Sequence, residues 1–181
     1  MRAFIAIRLE PAIRAAIAEA LAALPPVGGI KPVPPENLHL TLKFLGEIDR
    51  AQEQEVCRIL RAVAAGHAPF ALEARGTGAF PNRHRPRSLW VGLAESPALT
   101  ALATAVRSQV PYGDGGRFSP HLTVGRIQGA DDTQRDFLPA FFALSGSFGC
   151  QTVAEIALME SRLGGGTPVY TCRAVAALGA R

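Results

Sequence analysis

The segments His39-Leu-Thr-Leu42 and His121-Leu-Thr-Val124 each place an imidazole two residues ahead of a hydroxyl. In an extended strand successive side chains alternate faces, so His39 and Thr41 point one way while Leu40 and Leu42 point into a core. The same holds for His121 and Thr123 against Leu122 and Val124. Two such strands facing each other across a cleft would present two imidazoles and two hydroxyls to one space. Histidine titrates near neutral pH. One member of the pair can therefore start neutral and take a proton from an attacking water, while its partner starts protonated and gives one to a departing oxygen. Threonine hydroxyls can donate to non-bridging phosphate oxygens as charge builds in the transition state. The inventory suits hydrolysis of a cyclic phosphate ester, with no metal and no covalent intermediate.

The elements that must position these residues follow from the apolar pattern. Phe4–Ile7 reads as a buried strand, and Pro11 opens a helix to about Leu24 with Ile13, Ile17, Leu21 and Leu24 on one face. A Pro-rich connector through Pro35 leads into the strand His39–Leu45. Asp49 caps a second helix striped by Val56, Ile59, Leu60 and Val63. A strand over Phe70–Ala74 precedes a Gly- and Arg-rich loop, Arg75 to Arg87. Ser88–Leu93 is the next strand, and Ser96-Pro97 starts a third helix. After a Gly-rich loop comes the strand His121–Arg126, then a short helix from Asp132 to Phe142. Strands around Phe148–Val153, Glu155–Arg162 and Pro168–Ala177 close the chain, the last two joined across Gly164-Gly165-Gly166. Strands and helices interleave without a regular βαβ repeat. The expected fold is therefore α+β, with mainly antiparallel sheets around a central cleft and helices on the outer faces. One domain spanning 1–181, with two pseudo-duplicated lobes each contributing one motif, explains why the pattern recurs.

The chain has 181 residues, 48% of them hydrophobic, enough for a real core rather than a disordered chain. Its net charge of +4 is compatible with a phosphate-bearing partner. Arg greatly outnumbers Lys, which suits phosphate recognition, although GC-rich coding would give the same bias. Cys57, Cys150 and Cys172 are odd in number and widely spaced. They read as small core hydrophobes in a reducing cytoplasm, not as a disulfide framework or a zinc site. No apolar run is long enough for a membrane span, and the first residues are too short for a signal sequence.

The stretches Pro35-Glu-Asn-Leu-His-Leu-Thr-Leu-Lys-Phe-Leu-Gly46 and Ser119-Pro-His-Leu-Thr-Val-Gly-Arg126 resemble the 2H phosphoesterase superfamily. Within it the chain is similar to the bacterial and archaeal RNA 2′,3′-cyclic phosphodiesterases, historically called 2′-5′ RNA ligases. The resemblance extends to the N-terminal strand, to Phe80-Pro81 with Pro86–Gly92, and to Glu160–Leu163 followed by Tyr170. It implies a bilobal α+β fold with both motifs in its cleft. It also implies opening of a terminal cyclic phosphate to a 2′-phosphomonoester, with His39 as proton donor and His121 as acceptor, and 2′-5′ joining of ends as the reverse activity. From the residues alone the two histidines are interchangeable. Neither a cofactor nor a metal is expected, and nothing demands more than a monomer. The partner is an RNA end or oligonucleotide carrying the cyclic phosphate.

The pattern offers further candidates. Arg126 falls on the wrong face of a regular strand, but Gly125 permits a bulge that would re-aim it toward phosphate. Phe44 reads first as a core side chain and second as a ring that stacks a base. Arg83, His84, Arg85 and Arg87 form a basic loop that either tracks RNA or is merely solvated. His67 reads as an exposed turn residue. Competing functions are a 2H phosphodiesterase acting on another cyclic or 2′-5′-linked nucleotide, a non-catalytic RNA-binding module, and metal-dependent phosphodiester hydrolysis. A bell-shaped pH profile separates catalysis from passive binding, and chelator separates the metal-dependent route; the other-substrate enzyme would use the same histidines and differ only in its pocket walls.

Overall fold

The computed structural model describes residues 1–113, 115–164 and 166–179; Gly165, in the last expected connection, lies outside them. The order is β1 (Arg2–Arg8), α1 (Pro11–Ala22), β2 (Ile30–Pro32), a 3-10 turn (Pro35–Asn37) and β3 (His39–Glu47). Then come α2 (Arg50–Ala65), β4 (Phe70–Phe80), β5 (Ser88–Leu93), α3 (Pro97–Gln109) and β6 (Leu122–Ile127). Last are α4 (Gln134–Ala143), β7 (Ser147–Val153), β8 (Glu155–Arg162) and β9 (Val169–Ala177). The strands form two sheets, ordered β3-β1-β8-β9 and β2-β6-β5-β4-β7, with every described pairing antiparallel. The fold is α+β.

Local chemistry starts α2 and α3. Asp49 accepts from the Gln52 backbone while the Gln52 side chain accepts from the Asp49 N–H, a reciprocal capping box. Ser96 Oγ accepts from Leu99 N at 3.2 Å, with Pro97 as the first helical residue. Helix α1 stops at Ala22, short of Leu24, because Leu24 precedes Pro25 and the proline ring disfavours helical dihedrals there.

The sheets interlock. β2 lies between β1 and β3 in sequence but joins the second sheet, and the C-terminal β8 and β9 return to the first. Helix α1 emerges from the first sheet and packs on β7 of the second, while α3 emerges from the second and packs on β3 of the first. One continuous apolar core results, with Ile5, Leu40 and Leu158 from one sheet, Leu89, Val91 and Leu122 from the other, and Val56, Leu60, Leu102 and Val106 from the helices. Among the described residues no helix is long and apolar enough to cross a membrane.

Three expectations need correcting. The stretch from Arg75, read as loop, continues β4 to Phe80; Gly76, at φ 69°, sits in the register shift that bends the strand. The Pro-rich connector contains β2, whose proline is tolerated because the strand is an edge. Two of the cysteines are not core residues: Cys150 and Cys172 are exposed, whereas Cys57 is partly buried against the core, and all three are free thiols.

Candidate active site

Both motif strands carry a bulge at the same place. Opposite β1, Thr41 pairs with Ala6 and Lys43 with Ile5, leaving Leu42 unmatched. Opposite β5, Thr123 pairs with Trp90 and Gly125 with Leu89, leaving Val124 unmatched. Each extra residue inverts the alternation beyond it. The residue five after each histidine, Phe44 in one strand and Arg126 in the other, thereby joins the face of its histidine and threonine. Arg126 is re-aimed by the bulge, but the extra residue is Val124, and Gly125 is an ordinary ladder partner of Leu89 without positive φ. Phe44 is corrected: it is 55% exposed and belongs to the cleft, not the core.

The bulge beside Phe44 is held from outside. Arg107 of α3 donates to Leu42 O at 3.2 Å and also to Gly116 O in the segment leading to His121. Lys43, turned inward, is 5% exposed and donates to Arg107 O at 3.0 Å and Val110 O at 2.5 Å. Its ammonium thus sits at the carbonyl-rich C-terminus of α3, where positive charge is favoured. Gly113 packs so closely that a Cβ there would lie 1.8 Å from Phe44 O.

His39, Thr41 and Phe44 meet His121, Thr123 and Arg126 around one cavity of about 550 Å³ between the two sheets. The two imidazoles are held alike. His39 Nδ1 lies 2.6 Å from Asn37 O, and His121 Nδ1 lies 2.7 Å from Ser119 O, in each case the carbonyl two residues earlier. A carbonyl only accepts, so both rings carry their hydrogen on Nδ1 and leave Nε2 for the cavity. Aromatic rings fix their planes. His39 packs in a triangle of rings with Phe4, at 4.8 Å, and Tyr170, edge-on at 5.2 Å. His121 meets Phe80 edge-on at 4.8 Å, with Trp90 behind at 6.5 Å. Burial holds the His39 imidazole below its usual pKa; the Asn37 carbonyl opposes this, and the charges of His121 and Arg126 reinforce it.

Among the described residues the cavity is lined by Lys31, Arg126 and the two histidines, but by no carboxylate. No described cluster of His, Cys, Asp and Glu has the makings of a metal site. The Arg and Lys charges make the cavity one that attracts an anion.

A family profile described as LigT like phosphoesterase matches residues 7–90. The RNA 2′,3′-cyclic phosphodiesterase of Archaeoglobus fulgidus is 36% identical over 174 residues, covering 94% of this chain and 96% of the relative. The chain belongs to the LigT-like 2H phosphoesterases, a family of phosphoric diester hydrolases. The phosphodiesterase of the same name from Thermus thermophilus is also 36% identical, over 94% of this chain and 87% of its own. Among solved structures, TT0787 of Thermus thermophilus superposes with a TM-score of 0.83 at 32% identity, covering 99% of both chains. Escherichia coli LigT complexed with 3′-AMP gives 0.81 at 29% identity over 98% of this chain and 97% of LigT.

In this phosphoesterase several residues not singled out by pattern reach the cavity: Lys31, Ser88, Gln128 and Tyr170. Lys31 and Ser88 are the register partners of Arg126 on either side, so all three share its face. Arg87, a candidate RNA contact, does not line the cavity; it is exposed just ahead of Ser88 and opposite in parity. Arg83 is committed elsewhere, donating to Thr77 O at 2.9 Å and lying 5.0 Å over the Phe142 ring. His67 bonds back to Val63 O at the end of α2, as a turn residue does.

Proposed function

We propose that this phosphoesterase opens 2′,3′-cyclic phosphates at RNA ends by metal-independent acid–base catalysis between His39 and His121. The observation that carries the reading is the pair of imidazoles anchored alike through Nδ1, with both Nε2 atoms left to one cavity that also holds Thr41, Thr123 and Arg126. His121 Nε2 takes a proton from water as the water oxygen bonds to phosphorus. His39 Nε2–H gives its proton to O3′ as the P–O3′ bond breaks, leaving a 2′-phosphomonoester. The donor role of His39 rests on the family resemblance. The lowered pKa of the free site makes its N–H a stronger acid, and a bound phosphate monoanion would favour the protonated form. Thr41, Thr123 and Arg126 take the non-bridging oxygens, and Phe44 stacks the terminal base. A ribose 5′-hydroxyl replacing water would join ends reversibly through a 2′-5′ bond. Both motifs come from one chain, so we take the working unit to be a monomer of two pseudo-duplicated lobes acting in the cytoplasm.

The test is hydrolysis of a short RNA bearing a 2′,3′-cyclic phosphate, with chelator present. Wild type should yield the 2′-phosphate, and His39→Ala and His121→Ala should each lose at least ~10²-fold. Inert wild type, chelator-sensitive activity, or either variant at full rate would overturn the mechanism.

A further inference from the structure

The chain contains two lysines. Lys43 is engaged by the end of α3. Lys31 lines the catalytic cavity, and the hydrolysis of a lone cyclic phosphate gives it no task. It stands directly opposite Arg126 in the β2–β6 ladder, and like charges placed opposite each other destabilise a sheet. Among the described residues neither cation makes an ion pair, and no carboxylate lines their cavity. Lys31 does donate to Gly166 O, which occupies one of its three donor positions and tethers the β8–β9 connection over the cavity. A repulsive pair without a counter-ion implies an anion supplied from outside.

One phosphate cannot account for that much positive charge. A cyclic phosphodiester carries a single negative charge, and the two histidine–threonine pairs with Arg126 already meet it. The cavity, at about 550 Å³, is in the range that holds whole organic ligands, so there is room beyond the cyclic phosphate. A second cavity of about 560 Å³ on the far side of His39 and Tyr170 offers the RNA another exit. That exit is lined by Glu10, Glu36 and Glu155, which outnumber its two arginines, Arg14 and the Glu155-paired Arg8. A polyanion is disfavoured there, whereas the Lys31 side is free of carboxylates.

We propose that Lys31 is a specificity residue that binds the phosphodiester joining the terminal nucleotide to the rest of the RNA. The enzyme would thereby favour RNA ends over free cyclic mononucleotides. This rests on the proposed function above. The upstream strand leaves over β2 and β6, and its phosphate displaces none of the groups on the scissile one.

The experiment measures kcat/KM on a nucleoside 2′,3′-cyclic phosphate and on a dinucleotide with the same terminal nucleotide, for wild type, Lys31→Gln and Lys31→Arg. The expected result is that Lys31→Gln lowers the dinucleotide-to-mononucleotide ratio about tenfold, that Lys31→Arg restores most of it, and that the salt dependence of the ratio weakens by ~0.7 in log–log slope. A ratio unchanged in Lys31→Gln would overturn the proposal, whether both substrates slow together or neither does. Wild type inert on both substrates would instead sink the underlying catalytic reading, so the two failures are distinguishable.

Discussion

Replacing Gly78 with Ala should damage catalysis from a position that touches no substrate. A Cβ on Gly78 would lie 2.2 Å from Trp90 Cη2, 2.3 Å from Cζ2 and 2.8 Å from Cε2. Carbon atoms rest about 3.5–4.0 Å apart, so the indole must retreat by more than ~1 Å or the strand must bend. Trp90 pairs with Gly78 on one side and Thr123 on the other, which leaves it little lateral room. Its ring stands 5.5 Å from Phe80 and 6.5 Å from His121, and Phe80 meets the same imidazole at 4.8 Å. The displacement is therefore delivered to the two rings that set the plane of His121. Overpacking of this kind costs about 1–3 kcal/mol of stability, and a ~1 Å misplacement of a reacting group can cost 10²-fold in rate.

The assay is a double-mutant cycle read by thermal unfolding and by kcat on an RNA 2′,3′-cyclic end. Gly78→Ala alone should lower kcat by roughly 10–10² while the protein stays folded. In a Trp90→Leu background, where the clashing ring atoms are gone, the same substitution should cost far less, with a coupling of about 0.5–3 kcal/mol. A Gly78→Ala enzyme within about threefold of wild-type kcat would refute the reasoning. So would an equal loss in both backgrounds, because the effect would then not run through the indole.

The pH profile tests the proton roles. If His39 is the donor, kcat/KM should fall on the alkaline side with a midpoint below the usual imidazole value, because the free-site pKa is lowered and activity needs the protonated ring. Bound phosphate should raise that pKa, so the alkaline limb of kcat should lie higher than that of kcat/KM; limbs in the opposite order would contradict the assignment. For Arg107→Lys, the shorter reach of a single ammonium cannot serve both Leu42 O and Gly116 O. We expect KM for RNA ends to rise about tenfold as Phe44 loses its presentation, with a stability loss of about 1.5–3 kcal/mol in denaturant titration; unchanged KM would detach the bulge from substrate binding.

What the sequence made legible and what it hid divide along a physical line. Caps and periodicity are local, so the starts of α2 at Asp49 and α3 at Ser96-Pro97 could be read residue by residue. The inward leucines beside each histidine were equally readable, since Leu40 and Leu122 are fully buried. The second half of β4 was hidden because its glycines look like loop. Yet Gly78 is small for a tertiary reason: Trp90, from the next strand, lies across it. The exchange of β2 between sheets left no trace, because three residues carry no periodicity. The misreading of Phe44 is the instructive one. Alternation assigns it to the core, and nothing in Leu42 announces a bulge, which is held by a guanidinium 65 residues away. The echo between the motifs did contain the answer. If a bulge turns Arg126 into the cleft, and the two strands are built alike, then the residue at the same offset from the other histidine must turn with it. That residue is Phe44, so the two motifs read together carry information about side-chain direction that neither strand carries alone.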